Sequence, residues 1–331
     1  MDADAFAAAR RAEWTRLAAL VRRRRRLSGD EIDELVARYQ AVATHLSVLR
    51  SGGHDPALTA RLSVLLGRAR AAVAGAHTPA LRAVGEFAVV SFPAMAYRAR
   101  WWWLGTAAAS LAFAVILGRW IAVSPAVQAS LLPHSQVASL VNHDFRDYYS
   151  QDTPLSFATK LWTHNAVAAA EALILGAFLG VGTILVLIDN MLIAGVDAGL
   201  MIGHGRAAEF FMLILPHGML ELSAFFLAAA AGLRLGWSII DPGPRSRGQA
   251  LAETGRATVT IAIGLVVVFS VSGVIEAFVT PSGLPSWARI GIGAVAEAAF
   301  LAYVIAVGRR TQRLGRTADI MEAPEHAPVR G

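Results

Sequence analysis

The strongest constraint on the fold is a series of apolar runs too long for a soluble core. Residues 101–123, 163–188, 207–237, 257–279 and 288–307 are each predominantly apolar, and about 18 such residues in a row mark a membrane span. Hydrocarbon offers the peptide groups no water, so a chain crosses it as helices or as a closed barrel. Runs of this length fit helices. Only 16% of the residues are charged, against about 25% in an ordinary soluble domain, which excludes a soluble enzyme and a disordered scaffold. The expected fold class is all-α: a polytopic helical membrane protein with about six spans, one of them short or re-entrant, behind an N-terminal soluble helical domain.

Residues 1–77 read as that domain, placed in the cytoplasm. Phe6, Trp14, Leu17, Leu20 and Val21 recur at helical spacing among arginines and acids. Ser28 opens Ser-Gly-Asp-Glu, a helix start with acids in its first turn. Ile32, Leu35, Val36, Tyr39, Val42 and Leu46 form the stripe of this second helix, and Ser51-Gly-Gly-His-Asp-Pro is a turn before a third. Residues 78–100 are expected to lie in the membrane interface as an amphipathic helix, with Leu81, Val84, Phe87, Phe92 and Met95 on its apolar face. Trp101, Trp102 and Trp103 follow as an aromatic belt. Residues 101–308 hold the transmembrane domain, interrupted by an extracytoplasmic excursion at 124–160. Residues 191–202 reach only about 18 Å as a helix, too short for a regular crossing, so a half-helix or re-entrant element is expected there. The tail, 309–331, is expected to be cytoplasmic and disordered.

Charge placement gives an orientation. Net charge is +6, and every basic residue but Lys160 is arginine, a bias that a GC-rich genome explains. The basic residues flank spans rather than covering a soluble face, so no nucleic-acid partner is expected. Sixteen arginines against nine acids precede residue 101, whereas the excursion carries Arg146 and Lys160 against Asp144, Asp147 and Asp152. Arg245, Arg247 and Arg256 mark the 241–256 loop, and Arg309, Arg310, Arg313 and Arg316 follow the last run. The positive-inside rule then predicts a multi-pass bacterial cell-membrane protein with both termini cytoplasmic. The arginine run 22–26 reads as a solvated helix end near a membrane surface, with binding of anionic headgroups or nucleic acid as the alternatives. There is no cysteine, which excludes disulfides, thiolate metal sites and cysteine nucleophiles. The first 30 residues lack the apolar core of a cleavable signal peptide, so none is expected.

Ionisable groups inside a bilayer are costly and are usually paired or functional. Here they are Glu171, Asp189, Asp197, His217, Glu221, Arg234, Glu276 and Glu297. Snorkelling from span ends accounts for Arg234 and Asp189. His217 and Glu221 differ: they lie four apart on one helix face, beside Pro216 and Gly218. Pro216 donates no backbone hydrogen bond and frees a carbonyl one turn earlier. The functional reading is a metal, proton or substrate site made by His217, Glu221 and a carboxylate of another helix, such as Glu276. The plainer and preferred reading is a structural polar network, because His-x-x-x-Glu alone is not a metal motif; neither a metal nor a cofactor is expected. Asn165 and Asn190 either cap helix ends or join that network, capping being preferred for Asn190. Gly176, Gly180 and Gly182, and the series Gly195, Gly199 and Gly203, read as faces for close helix packing; a lipid or ion path along a thin glycine wall is the alternative. No Gly-x-Ser-x-Gly, Walker loop or His-Glu-x-x-His occurs, so no catalytic residue is assigned.

Three runs carry a family resemblance: Leu215-Pro-His-Gly-Met-Leu-Glu-Leu-Ser-Ala, Ala231-Gly-Leu-Arg-Leu-Gly, and Gly273-Val-Ile-Glu-Ala-Phe-Val-Thr-Pro. Together with Thr163-His-Asn and Asp189-Asn followed by Gly195, they resemble the stage II sporulation protein M family of bacterial integral membrane proteins over about residues 80–310. The N-terminal domain is similar to the long form found in high-GC Gram-positive bacteria. The resemblance implies that Pro216, His217, Gly218, Glu221, Glu276 and Pro281 are signature positions. It also implies membership of a membrane complex whose partners, rather than this chain, degrade cell wall during engulfment of the forespore.

The resulting expectation is a non-enzymatic integral membrane scaffold of a cell-envelope complex, with membrane lipid and peptidoglycan-remodelling proteins as partners and homo-oligomerisation left open. The alternative is the membrane subunit of a lipid or small-molecule transporter, energised by a separate subunit because no nucleotide-binding motif is present. An intramembrane hydrolase built on His217 and Glu221 lacks a recognisable nucleophile.

Overall fold

A computed structural model describes residues 3–23, 27–51, 56–74, 84–144 and 154–314. Arginines 24–26, residues 78–83 of the expected interfacial helix, residues 145–153 of the excursion and residues 315–331 of the tail lie outside the described residues. Among the described residues there are twelve α-helices and no strand, so the chain is an all-α protein. It divides into two compact units, Met1–Val84 and Gly85–Gly331.

The first unit contains α1 (Ala3–Arg22), α2 (Gly29–Ser51) and α3 (Pro56–Ala74). Their apolar stripes meet in one core of Trp14, Leu17, Leu20, Leu35, Val42, Leu46, Leu49, Leu62, Leu66 and Ala69. Ser28 and Glu31 form a reciprocal cap at the start of α2, each side chain accepting from the other's backbone N–H. Trp14 Nε1 donates to His45 Nδ1 at 3.3 Å, and burial holds that imidazole below its ordinary pKa, in the neutral form able to accept. Glu34 bridges α1 and α2 by accepting from Arg16 and Arg38. These bonds, Arg16's first, lower its pKa to about 2.

The second unit begins with a π-helical turn, Phe87–Ser91, leading into the short α4 (Phe92–Arg98). Residues Phe92 to Ala96 are all buried. The Phe92 ring occupies the notch at Gly264, and the Pro93 carbonyl lies against Gly308. An amphipathic pattern fits an interface-lying helix and a packed one equally; here the apolar face of α4 meets protein rather than the membrane surface. Then come α5 (Arg100–Val123), two short helices α6 (Pro125–Leu131) and α7 (His134–Ser139), and α8 (Pro154–Ile174), α9 (Val181–Gly203), α10 (Ala207–Ile240), α11 (Arg247–Val274) and α12 (Ser286–Arg313). Val127, Leu132, Val137 and Val141 of the excursion pack over the ends of α5, α9 and α10, against Ile121, Leu200, Met201 and Phe210.

Five helices are long and apolar enough to cross a membrane: α5, α9, α10, α11 extended to Val279, and α12. Their outward faces expose Val115, Ile116, Val267 and Val295, side chains that suit hydrocarbon. The protein is therefore a multi-pass membrane protein. The run 163–188 is not one span: it breaks at residues 175–180, where Leu179 (φ 55°) and Gly180 (φ 80°) take the left-handed conformation that glycine adopts freely and leucine does not. This moves the start of the next helix to Val181, so 191–202 is no short or re-entrant piece but the second half of a regular 23-residue helix. Its partner α8, of 21 residues, supplies the sixth long helix of the unit.

Glycines set the helix spacing. A Cβ built on Gly176 would stand 2.2 Å from the Gly232 carbonyl oxygen, and one on Gly232 would stand 2.1 Å from that of Ala172. Along α5 and α9 the contacts ascend together, Gly118 on Gly195, Ile121 on Gly199 and Ala122 on Gly203, so these two helices run parallel. Gly232→Ala should force α8 off α10, at a cost of about 1–3 kcal/mol. Gly291→Ala, whose new methyl meets nothing within 4 Å, should be neutral or slightly stabilising because alanine favours helix. Thermal unfolding in detergent checks this; equal midpoints for the two variants would show that the crossing has room to relax.

Candidate functional site

The site is built where α10 passes the end of α11. Pro216 sits inside the 34-residue α10 and removes one N–H from its ladder. At the same level α12 approaches so closely that a Cβ on Gly293 would stand 2.1 Å from the Pro216 carbonyl oxygen. His217, on the next position, is buried and turns toward α11. There α11 loosens into a π-helical turn, Ile275–Val279, a distortion common where side chains must be re-aimed. The turn carries Glu276 at its start and delivers Thr280 just after it.

His217 Nε2 lies 3.5 Å from Glu276 Oε1, both residues being almost fully buried. Its Nδ1 lies 3.2 Å from Thr280 Oγ1, which also reaches the Ile275 carbonyl at 3.4 Å. Ser272, one turn earlier on α11, places its hydroxyl 3.2 Å from the His217 carbonyl and 3.3 Å from Glu221 Oε2. His217, Glu221 and Glu276 each offer an atom within 4.8 Å of the others', a spacing at which they could share one cation. The second carboxylate oxygen of Glu276 is buried without a hydrogen-bond partner.

The structure brings Glu276 to His217 as the cross-helix carboxylate, while Glu221 turns to Ser272. Asn165 and Asn190 join this neighbourhood on the far side of Glu221. With Met191, Phe225 and Phe269 they line a cavity of about 100 Å³ into which Glu221 faces. Asn190 does not cap a helix: it lies in the middle of α9, and its amide donates to the Val186 carbonyl at 2.9 Å. The preference for capping came from placing a span end at residue 188, which the break at 175–180 removes. Gly218 is buried against Ile214 of its own helix. Gly176 and Gly180 pack on Gly232 and Leu233, whereas Gly195, Gly199 and Gly203 form the α5–α9 seam; neither set touches the His217 cluster.

A second polar tie lies on the other side of α10. Ser223 Oγ donates to Glu297 Oε1 of α12 at 2.6 Å, and the Ser223 carbonyl accepts from Trp103 Nε1 of α5 at 2.9 Å. Sequence reasoning named Glu297 without a partner and missed Ser223, Ser272, Thr280 and Gly293. Gly293 carried a faint signal in the Gly-Ile-Gly run of an otherwise ordinary apolar helix; Ser223 and Thr280 stood inside the resemblance runs without being singled out, and Ser272 carried no signal.

Glu221→Gln should keep the Ser272 contact, because an amide oxygen also accepts, and, with metal removed by chelator, unfold close to wild type in detergent. Glu221→Leu should leave Ser272 and the asparagine-lined cavity without that acceptor and lose about 1–3 kcal/mol. Equal melting of all three proteins would show that Glu221 makes no stabilising contact in the folded chain.

The comparisons with known proteins agree with this architecture. The family described as stage II sporulation protein M matches residues 107–281, a segment that includes Asn165, Asn190, His217, Glu221, Ser272, Glu276 and Thr280. A second family, described as a domain of unknown function (DUF8413), matches residues 4–75, the three-helix unit. No curated protein and no solved structure matches the chain. The first match covers more than half of the chain, which therefore belongs to the stage II sporulation protein M family.

Proposed function

We propose that the chain is a non-enzymatic scaffold in a bacterial cell-envelope complex, holding peptidoglycan-remodelling partners at the membrane. The observation that carries this reading is the backbone-level locking of the second unit. Helix pairs α8–α10, α10–α12 and α4–α12 each meet at a glycine where an added Cβ would fall within 2.4 Å of a neighbouring backbone oxygen. Helices in such contact resist sliding past one another, whereas alternating access requires one bundle to rock against another. The cavity beside Glu221, about 100 Å³, has room for a few waters. A rigid frame with a separately folded three-helix unit suits assembly better than transport.

Counting α8 as a crossing beside the five apolar helices makes the number even. This parity and the arginine distribution support cytoplasmic termini and an extracytoplasmic 124–160 segment. The chain has no cysteine, so single cysteines report cleanly. An impermeant thiol reagent applied to intact cells should label Ser135→Cys and spare Ser246→Cys, both exposed positions; labelling of the second would overturn the six-crossing topology.

The scaffold role is tested by cross-linking in native membranes and purifying the full chain for mass spectrometry. Stoichiometric cell-wall hydrolases or synthases are expected. Recovery instead of a stoichiometric nucleotide-hydrolysing subunit would overturn the scaffold in favour of a transporter.

A further inference from the structure

We propose that His217, Glu221 and Glu276 bind one divalent transition-metal cation, of the zinc or manganese class, between α10 and α11. This goes beyond the scaffold reading and does not depend on it. The cluster holds an excess of hydrogen-bond acceptors. Glu221 and Glu276 place two carboxyl groups and one imidazole in one cluster whose donor atoms lie within 4.8 Å of each other. Glu276 Oε2 is buried with no hydrogen-bond partner, in a residue only 3% exposed. Among the described residues no arginine or lysine forms an ion pair with Glu221 or Glu276: Arg289, in the first turn of α12, gives hydrogen bonds to the Thr280 carbonyl and to Ser286.

The orientation of His217 points the same way. Thr280 Oγ1 can donate to the Ile275 carbonyl and accept from Nδ1–H of the ring. That arrangement matches the outer-shell bond of a metal-bound histidine, which fixes the tautomer and frees the other nitrogen. With that tautomer the Nε2 lone pair faces Glu276 Oε1, 3.5 Å away, and a cation between them would meet an acceptor on each side. Donors about 2.0–2.2 Å from a zinc ion lie about 3–4 Å from one another. The His217–Glu276 separation already meets this, and a side-chain adjustment of Glu221 closes the rest. One nitrogen and carboxylate oxygens, without sulfur, suit zinc or manganese better than magnesium or copper(I). Three protein ligands leave a position for water, next to the cavity that Asn165 and Asn190 line.

The test uses the full, tag-free chain in detergent, stripped with chelator, dialysed against Zn²⁺ or Mn²⁺ alone, and measured for metal content and melting temperature. One equivalent per chain and a rise in melting temperature are expected for at least one of the two ions. X-ray absorption at the metal edge of the wild type should show one imidazole nitrogen among oxygen ligands, a readout that needs no variant to fold. His217→Gln and Glu276→Gln should lose the metal. Thr280→Val, which touches no ligand atom directly, should keep the fold and weaken binding by about 10–100-fold. A folded wild type that takes up neither ion, with an unchanged melting temperature, would overturn the site and leave a shared proton between His217 and Glu276. Full metal content in the folded variants, or an edge spectrum without imidazole, would also overturn it by placing the metal elsewhere.

Discussion

Backbone-to-backbone contact at glycine is the constraint on which the membrane unit depends. Lipid tails are as apolar as leucine, so helices inside a bilayer gain little by hiding side chains from it. They associate through close van der Waals packing and hydrogen bonds. Gly176 and Gly232 let α8 reach α10, and Gly293 lets α12 reach α10 at Pro216. Around these crossings the middle of α10 is surrounded on every side, with residues Ala224 to Gly232 all buried. A helix held this way has little freedom to rotate, and that fixes the direction in which its few polar side chains point.

Those side chains secure α10 on two faces. His217 and Glu221, four residues apart, share one face and meet α11. Ser223, two residues beyond Glu221 and hence on the opposite side, meets Glu297 of α12. Trp103 adds α5 through the Ser223 carbonyl. Three neighbouring helices are thus hydrogen-bonded to about two turns of α10. These bonds add to the resistance of the packing, because a displaced partner leaves a buried polar atom unmet.

The parts of this design that sequence reveals are those expressed in composition or in single rare residues. Long apolar runs announce the spans, and His217, Glu221 and Glu276 stand out because ionisable groups are rare in such runs. The break at residues 175–180 is hidden because Leu-Gly-Ala-Phe-Leu-Gly is as apolar as its flanks, and only the backbone angles of Leu179 and Gly180 disclose the turn. Asn190 was misjudged for the same reason, since a cap is argued from a boundary that does not exist. Ser272 and Thr280 are invisible for a different reason. Hydroxyls in apolar helices commonly bond back to their own helix, as Thr258, Thr260 and Ser270 do on α11, and nothing local marks the two that reach across. The contrast at α4 is instructive too: residues 84–98 show an apolar face, but only the notches at Gly264 and Gly308 decide what it covers.

The parallel pairing of α5 and α9 has a consequence for how the protein is made. Two adjacent parallel helices cannot be joined by a tight hairpin, so the ribosome must deliver the excursion, all of α8 and the turn at 175–180 before α5 meets its main partner. For that interval α5 presents Gly118 and its neighbours to whatever else occupies the membrane. In the six-crossing topology proposed above, the return stroke falls to α8, which carries Lys160 and Glu171 and is not among the five helices apolar enough to qualify as a span by themselves. In that topology its residence in the bilayer would rest on its contacts with α9, α10 and α11, all synthesised later. Insertion of this chain is thus a deferred, cooperative event in which late helices retain an early one. Truncation after α9 would lose α8 from the membrane along with the missing C-terminal half.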